Sequence, residues 1–158
     1  MNNLILCGHK SVGKSYFGKL VSQRLEIPFI ETDKLVEEFY YRKTGGVRDC
    51  RSIFMTEGSD LFRALESLVV ASLVHTRGAL IALGGGTLIN LQNRIYLSSL
   101  GKVVYLSLSQ EILKKRSLSL DVSFEERSLI YEQVATEKVQ LDGKEDLEVV
   151  EEIAHLFR

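Results

Sequence analysis

Directly behind the apolar segment Asn3–Cys7 the chain reads Gly8-His9-Lys10-Ser11-Val12-Gly13-Lys14-Ser15. This is a G-x-x-x-x-G-K-S pattern between a candidate strand and a candidate helix, and few short sequences constrain a fold as strongly. Gly8 and Gly13 permit a tight loop whose backbone N–H groups turn inward, and a helix starting near Ser15 adds the positive end of its dipole. Such a concavity holds phosphate. Lys14 is then placed to reach the β- and γ-phosphates of a nucleoside triphosphate, and the Ser15 hydroxyl to ligate magnesium. His9, Lys10, Ser11, Val12 and the following Tyr16 are expected to surround the nucleotide with them.

The rest of the chain supplies the context that the loop requires. Short apolar runs alternate with longer amphipathic stretches, the pattern of an α/β protein with a parallel sheet. Strands are predicted at 3–7, 28–30, 79–83, 103–108 and 139–141. Helices are predicted over about 15–25, from Leu35 to the break at Thr44-Gly45-Gly46, and over 61–74, 91–100, 111–116, 125–137 and 146–157. On the 61–74 helix, Leu61, Leu65, Leu68 and Val69 are expected to share one face.

With 158 residues the chain is the size of one domain, and its formal charge of −1 gives no global reason to expect nucleic acid or an anionic membrane as partner. The N-terminus lacks a basic, apolar leader, and no apolar run approaches the roughly 18 residues of a membrane span. Only Cys7 and Cys50 are present, without zinc-like spacing, so the expectation is a cytoplasmic protein with reduced thiols.

A kinase-type site needs further groups beside the loop. Glu31-Thr32-Asp33 follows the second strand, where residues face the ligand crevice of an open α/β sheet. Glu31 then serves magnesium, directly or through water, and Asp33 accepts a hydrogen bond from an acceptor hydroxyl; the competing reading has Thr32 or Asp33 capping the next helix. Arg63 and Glu66 stand at i, i+3 on a helix, which presents a guanidinium for bidentate carboxylate binding or forms a plain surface pair. Gly84-Gly85-Gly86 ends the third strand, where absent side chains let a ligand approach backbone.

In order along the chain, these motifs resemble those of the shikimate kinase family. The phosphate loop matches fully, and Glu31-Thr32-Asp33 resembles the family's D-T-D. Ile53-Phe54, Gly58 and Phe62-Arg63-x-x-Glu66 follow its I-F…G-E-x-x-F-R-x-x-E segment. The triple glycine matches, and residues 127–135 resemble R-x-P-L-Y-x-x-V-A. The resemblance implies a P-loop three-layer sandwich, with a five-stranded parallel sheet and helices on both faces. It implies one domain over 1–158, a substrate-binding helical region at about 32–75 and a short lid at about 116–126. Further implications are ATP and shikimate as substrates, magnesium as cofactor and a monomer as the working unit. Asp33, Phe54, Phe62, Arg63, Gly84, Gly85, Gly86 and Arg127 would form the shikimate site, with Glu66 bracing Arg63. Lys14, Asp33 and Arg116 would be the catalytic set.

Departures from the pattern are Glu31 for Asp, Ser59 for Glu, a longer stretch over 40–52 and no proline near Arg127. Only ten residues, 117–126, separate Arg116 from Arg127. Arg116-Ser117-Leu118-Ser119 aligns either with the family's R-P-L-L lid motif or, with Lys115, as the basic pair that packs on adenine; the distance of Ser109 from its strand favours the second. Rival readings are a gluconate- or nucleoside-monophosphate-type kinase, or a nucleotide-binding module without kinase activity. The missing N-K-x-D motif argues against a GTPase. Bland readings suit the remainder: His9 as a variable loop residue, His75 and His155 as surface positions, Cys7 as strand packing. Cys50 reads as a loop cysteine, or as a thiol of lowered pKa beside Arg48 and Arg51. Arg42, Lys43, Arg48 and Arg51 read as a solvated face.

Overall fold

The computed structural model describes residues 2–116 and 123–157. Five strands form one parallel sheet: β1 (Asn3–Cys7), β2 (Phe29–Glu31), β3 (Leu80–Ala82), β4 (Gly101–Ser107) and β5 (Glu137–Gln140). Their order is β2-β3-β1-β4-β5, so β1 is central and pairs in parallel with β3 on one edge and β4 on the other. Strand order reverses beside β1, and the crevice outside its carboxyl end is therefore the expected ligand position.

β1 and β3 are buried at every position, and the alternation of side chains between the two faces of the sheet divides the core into two layers. Leu4 and Leu6 of β1 face one side with Val104 and Leu106 of β4, under α1 (Lys14–Leu25), α6 (Gln110–Arg116) and α8 (Asp146–His155). Ile5 and Cys7 face the other side with Val103 and Tyr105, under α4 (Ser59–Ser72), α5 (Leu91–Leu100) and α7 (Phe124–Val134). A third cluster joins α4 to α2 (Thr32–Thr44) and α3 (Cys50–Glu57) through Val36, Tyr40, Ile53, Phe62, Leu65 and Val69. The expected three-layer α/β sandwich is the fold observed. No described helix is long and apolar enough to cross a membrane.

Local expectations fail where tertiary contacts outweigh the local pattern. The α3 helix was not anticipated; Asp49 caps it, its carboxylate accepting from the Ser52 N–H at 2.8 Å. Leu68 is exposed, and Phe62 and Glu66 take the inward positions beside Leu65 and Val69. The α7 helix stops at Val134 and the chain turns at once into β5, which was expected two residues later. Thr136 donates both its N–H and its hydroxyl to the Val103 carbonyl, which draws this polar segment alongside β4. The expected lid at 116–126 falls largely on residues 117–122, outside the described residues.

One buried polar side chain ties the middle of the sheet together. Asn3 donates to the carbonyls of Thr76 and Leu100 at 2.9 and 3.0 Å and accepts from the Ala79 N–H at 3.0 Å. It thereby satisfies the chain ends that lead into β3 and β4. Asn3→Leu keeps the branched shape but leaves the buried Leu100 carbonyl and Ala79 N–H without this partner, while Thr76 keeps its bond from Arg77, so urea denaturation should show a loss of about 2 kcal/mol or more.

Candidate active site

Backbone constraints shape the phosphate loop. Gly8 has φ 148°, and a Cβ there would lie 2.7 Å from the Leu106 carbonyl oxygen, so only glycine lets β1 leave the sheet beside β4. Gly13 (φ 112°) precedes the first turn of α1. Ser11 holds the left-handed region at φ 67° without being glycine, a conformation that functional loops retain at a cost of about 1–3 kcal/mol. Val12 is fully buried in the core and anchors the loop from below. Above it lies a cavity of about 330 Å³ lined by Lys10, Ser11, Gly13, Lys14, Ser15 and Tyr16, among others. Lys14 is buried and donates to the Gly8 and His9 carbonyls at 2.7 and 2.9 Å. Burial holds its ammonium down to about 8, against a partly offsetting attraction from Cys7 and Asp33. The Ser15 hydroxyl donates to Glu31 beside this cavity.

A second cavity of about 270 Å³ adjoins it, lined by Asp33, Phe54, Phe62, Arg63, Gly85 and Arg127 together with Lys10, Cys50, Arg51, Met55, Glu66 and Gly86. Asp33 lines both cavities, and burial raises its carboxyl above the usual aspartate range, with Lys14 working in the opposite direction. Arg63 donates to Glu66 at 2.5 Å, and its guanidinium lies 5.4 and 6.0 Å from the ring centres of Phe62 and Phe54. Glu66 is 3% exposed and also accepts from the Thr87 hydroxyl at 3.0 Å, so the pair is an internal brace and not a surface bridge. Burial raises the Glu66 carboxyl, opposed by Arg63 and Thr87.

The three glycines make room for side chains as much as for a ligand. A Cβ at Gly84 would overlap the Asp33 carboxylate, and one at Gly86 would sit 2.5 Å from the Arg63 guanidinium. Gly85 lies under Arg127 and Lys10, and its carbonyl accepts from the Tyr131 hydroxyl. Thr32 accepts from the Gly84 N–H at 3.0 Å, which locks the end of β2 to the end of β3; it does not cap α2, whose N-cap is Glu31.

Other expected residues lie differently. His9 turns away from the cavity: it is buried, stacks on Phe124 of α7 at 4.1 Å, and its Nε2 bonds the Ser128 hydroxyl at 2.8 Å. It is therefore a packed contact and not a plain loop residue. Arg116 ends α6 and donates to the Ser11 and Val12 carbonyls at 3.4 and 3.3 Å, against the outer side of the loop. Cys50 opens α3 and its thiol donates to the Asp33 carbonyl at 3.2 Å. Burial and the charges of Asp33, Glu37 and Glu66 push that thiol up, which overturns a lowered pKa. Arg42, Lys43, Arg48 and Arg51 are all exposed, and Arg51 also lines the second cavity. Thr87, Tyr131 and Cys50 were not singled out for this site. The position of Thr87 directly after the triple glycine was the one available signal.

A phosphate loop at the switch point, joined to a cavity lined by the guanidinium groups of Arg51, Arg63 and Arg127 and the carboxylates of Asp33 and Glu66, defines a P-loop kinase of the kind that acts on small anionic molecules. The sequence profile described as shikimate kinase matches residues 10–121. The chain belongs to the shikimate kinase family. It is 31% identical over 166 residues to the shikimate kinase of Sulfurihydrogenibium sp., spanning 97% of this chain and 96% of that one. With the Vibrio cholerae shikimate kinase the identity is 32% over 170 residues, spanning 98% and 94%. The shikimate kinase of Acinetobacter baumannii, solved in complex with shikimate, superposes with a TM-score of 0.81 at 25% identity, covering 99% of this chain and 92% of that one. The Aquifex aeolicus enzyme gives 0.78 at 33%, covering 96% and 92%.

Because burial lowers the Lys14 pKa, the free protein carries this charge below about 8 and loses it above. Between that value and the ordinary 10.5 the unfolded chain holds the extra proton, so this group favours folding as pH rises through the window. Triphosphate binding needs the charged form. Nucleotide affinity should therefore be flat up to neutral pH and about tenfold weaker at pH 9, with proton uptake visible as buffer-dependent heat in calorimetry.

Proposed function

We propose that this protein transfers the γ-phosphoryl group of ATP to the 3-hydroxyl of shikimate, giving shikimate 3-phosphate for chorismate and aromatic amino-acid biosynthesis. One observation carries the reading: Arg63, Arg127 and Asp33 line a single cavity that opens onto the phosphate loop. Two guanidinium groups suit the carboxylate of a small acid, and Asp33 suits the hydroxyl that must point toward the triphosphate. Phe54 and Phe62 wall the ring, and Glu66 holds Arg63 in place.

Phosphoryl transfer proceeds through a loose transition state, so positioning and charge neutralisation dominate. Lys14 and the loop amides balance charge developing on the phosphate oxygens. Asp33 orients the acceptor hydroxyl and accepts its proton at the carboxylate as the bond to phosphorus forms. Its raised pKa suits it to hold that proton. The residues at the loop fit magnesium: the hard oxygens of Ser15 and Glu31 already meet beside the phosphate cavity, as an ion shared with phosphates and water requires. Held by Ser15 and Glu31, magnesium would supply positive charge that neutralises the phosphates. In this reading Arg116 lies at the nucleotide's edge of the loop.

The last helix packs on the first, with Arg24 bonded to Glu151 at 2.8 Å, which fits a single domain. Both cysteines are free, which fits work in the cytoplasm.

The deciding assay follows ADP release from magnesium–ATP with shikimate, gluconate, a nucleoside monophosphate or no acceptor. Saturable release with shikimate alone supports the reading; release with another acceptor, or none with any, overturns it. Asp33→Ala should lower turnover by about a thousandfold while nucleotide affinity stays within about threefold. Arg63→Lys loses the planar fork, so KM for shikimate should rise about tenfold or more with KM for ATP little changed.

A further inference from the structure

The triphosphate cavity and the acceptor cavity share three lining residues, Lys10, Asp33 and Gly85. A phosphoryl group passing from one to the other must cross that junction. Gly85 offers only backbone there and Asp33 an anion, so the cation at the crossing is Lys10. Its charge already acts on Asp33, drawing the carboxyl down against the effect of burial.

The two lysines of the loop are held in different ways. Lys14 is buried and already donates to the Gly8 and His9 carbonyls. Lys10 is exposed, and among the described residues its ammonium takes part in no hydrogen bond or ion pair. Its root is nevertheless fixed. A Cβ built on Gly85 would lie 3.4 Å from the Lys10 nitrogen and 3.8 Å from its Cβ, so the two backbones abut. On one side His9 is stacked on Phe124; on the other Ser11 holds its left-handed conformation against Arg116. A fixed root with an uncommitted ammonium suits a charge that acts only when phosphate arrives.

We propose that Lys10 is a further catalytic residue, whose side-chain ammonium contacts the phosphoryl group at the junction and then holds the new phosphate monoester. This rests on the kinase reading above. The acceptor oxygen forms its bond to the γ-phosphorus as the bond from phosphorus to the β–γ bridging oxygen breaks. The electron pair of the broken bond leaves with ADP, and the hydroxyl proton passes to Asp33. Lys10 supplies charge and moves no proton. Charge at that point is worth more in the transition state and product than in the uncharged acceptor hydroxyl.

The test compares wild type, Lys10→Met and Lys10→Arg in shikimate-dependent ADP release, with calorimetric binding of shikimate and of shikimate 3-phosphate. Lys10→Met should lower kcat by about tenfold to a hundredfold, and Lys10→Arg should recover most of it. Lys10→Met should also weaken binding of the phosphorylated product about tenfold while changing shikimate affinity less than about twofold. A kcat within about threefold of wild type, no recovery by arginine, or equal losses for product and substrate each overturn the assignment. An inactive wild type overturns the kinase reading, and the inference with it; an active wild type matched by Lys10→Met overturns the inference alone.

Discussion

Everything at the site depends on parallel pairing of β1 with neighbours on both edges. A strand buried on both faces and bonded on both edges has no freedom to move, and the loop leaving it inherits that rigidity. Gly8 then turns against the Leu106 carbonyl and Val12 plugs the core. The loop's amides are thus held open around an anion site by the sheet. Parallel alignment also brings the ends of β1, β2 and β3 to the same side, which puts the loop, Asp33 and the triple glycine within reach of one another.

Charge is managed in that space by burial and by absent side chains. Lys14 and Asp33 pull on each other, and each is shifted toward its neutral form by burial. Glu66 is shifted likewise but is held by Arg63 and Thr87. The volume that these groups need comes from Gly84 and Gly86, where a single added carbon would overlap Asp33 or Arg63. The near-neutral chain of formal charge −1 thus concentrates Lys10, Arg63 and Arg127 around one small cavity.

Features with strong local codes were legible in the sequence. The strand Asn3–Cys7 and the helix Leu91–Leu100 were read to the residue, and the phosphate loop followed from its glycines and lysine. Arg63 with Glu66, Asp33 and the triple glycine were singled out, and the structure brings them together. What was illegible lies in packing between distant segments. Nothing near His9 announces Phe124 and Ser128, which are more than a hundred residues away. Leu68 satisfied the helical period but α4 turns its neighbours inward. Arg51 and Cys50 sat in a polar stretch without a clear apolar stripe, and only the cluster around Ile53 folds it into a helix at the cavity wall.

The two contacts that flank the connection between α6 and α7 both rest on the phosphate loop. Arg116 ends the first helix with bonds to Ser11 and Val12; Phe124 and Ser128, at the start of the next, hold His9. The chain therefore departs from and returns to a single rigid fixture. Evolution can lengthen or shorten what lies between such moorings without disturbing strand register, because the sheet never bears the difference.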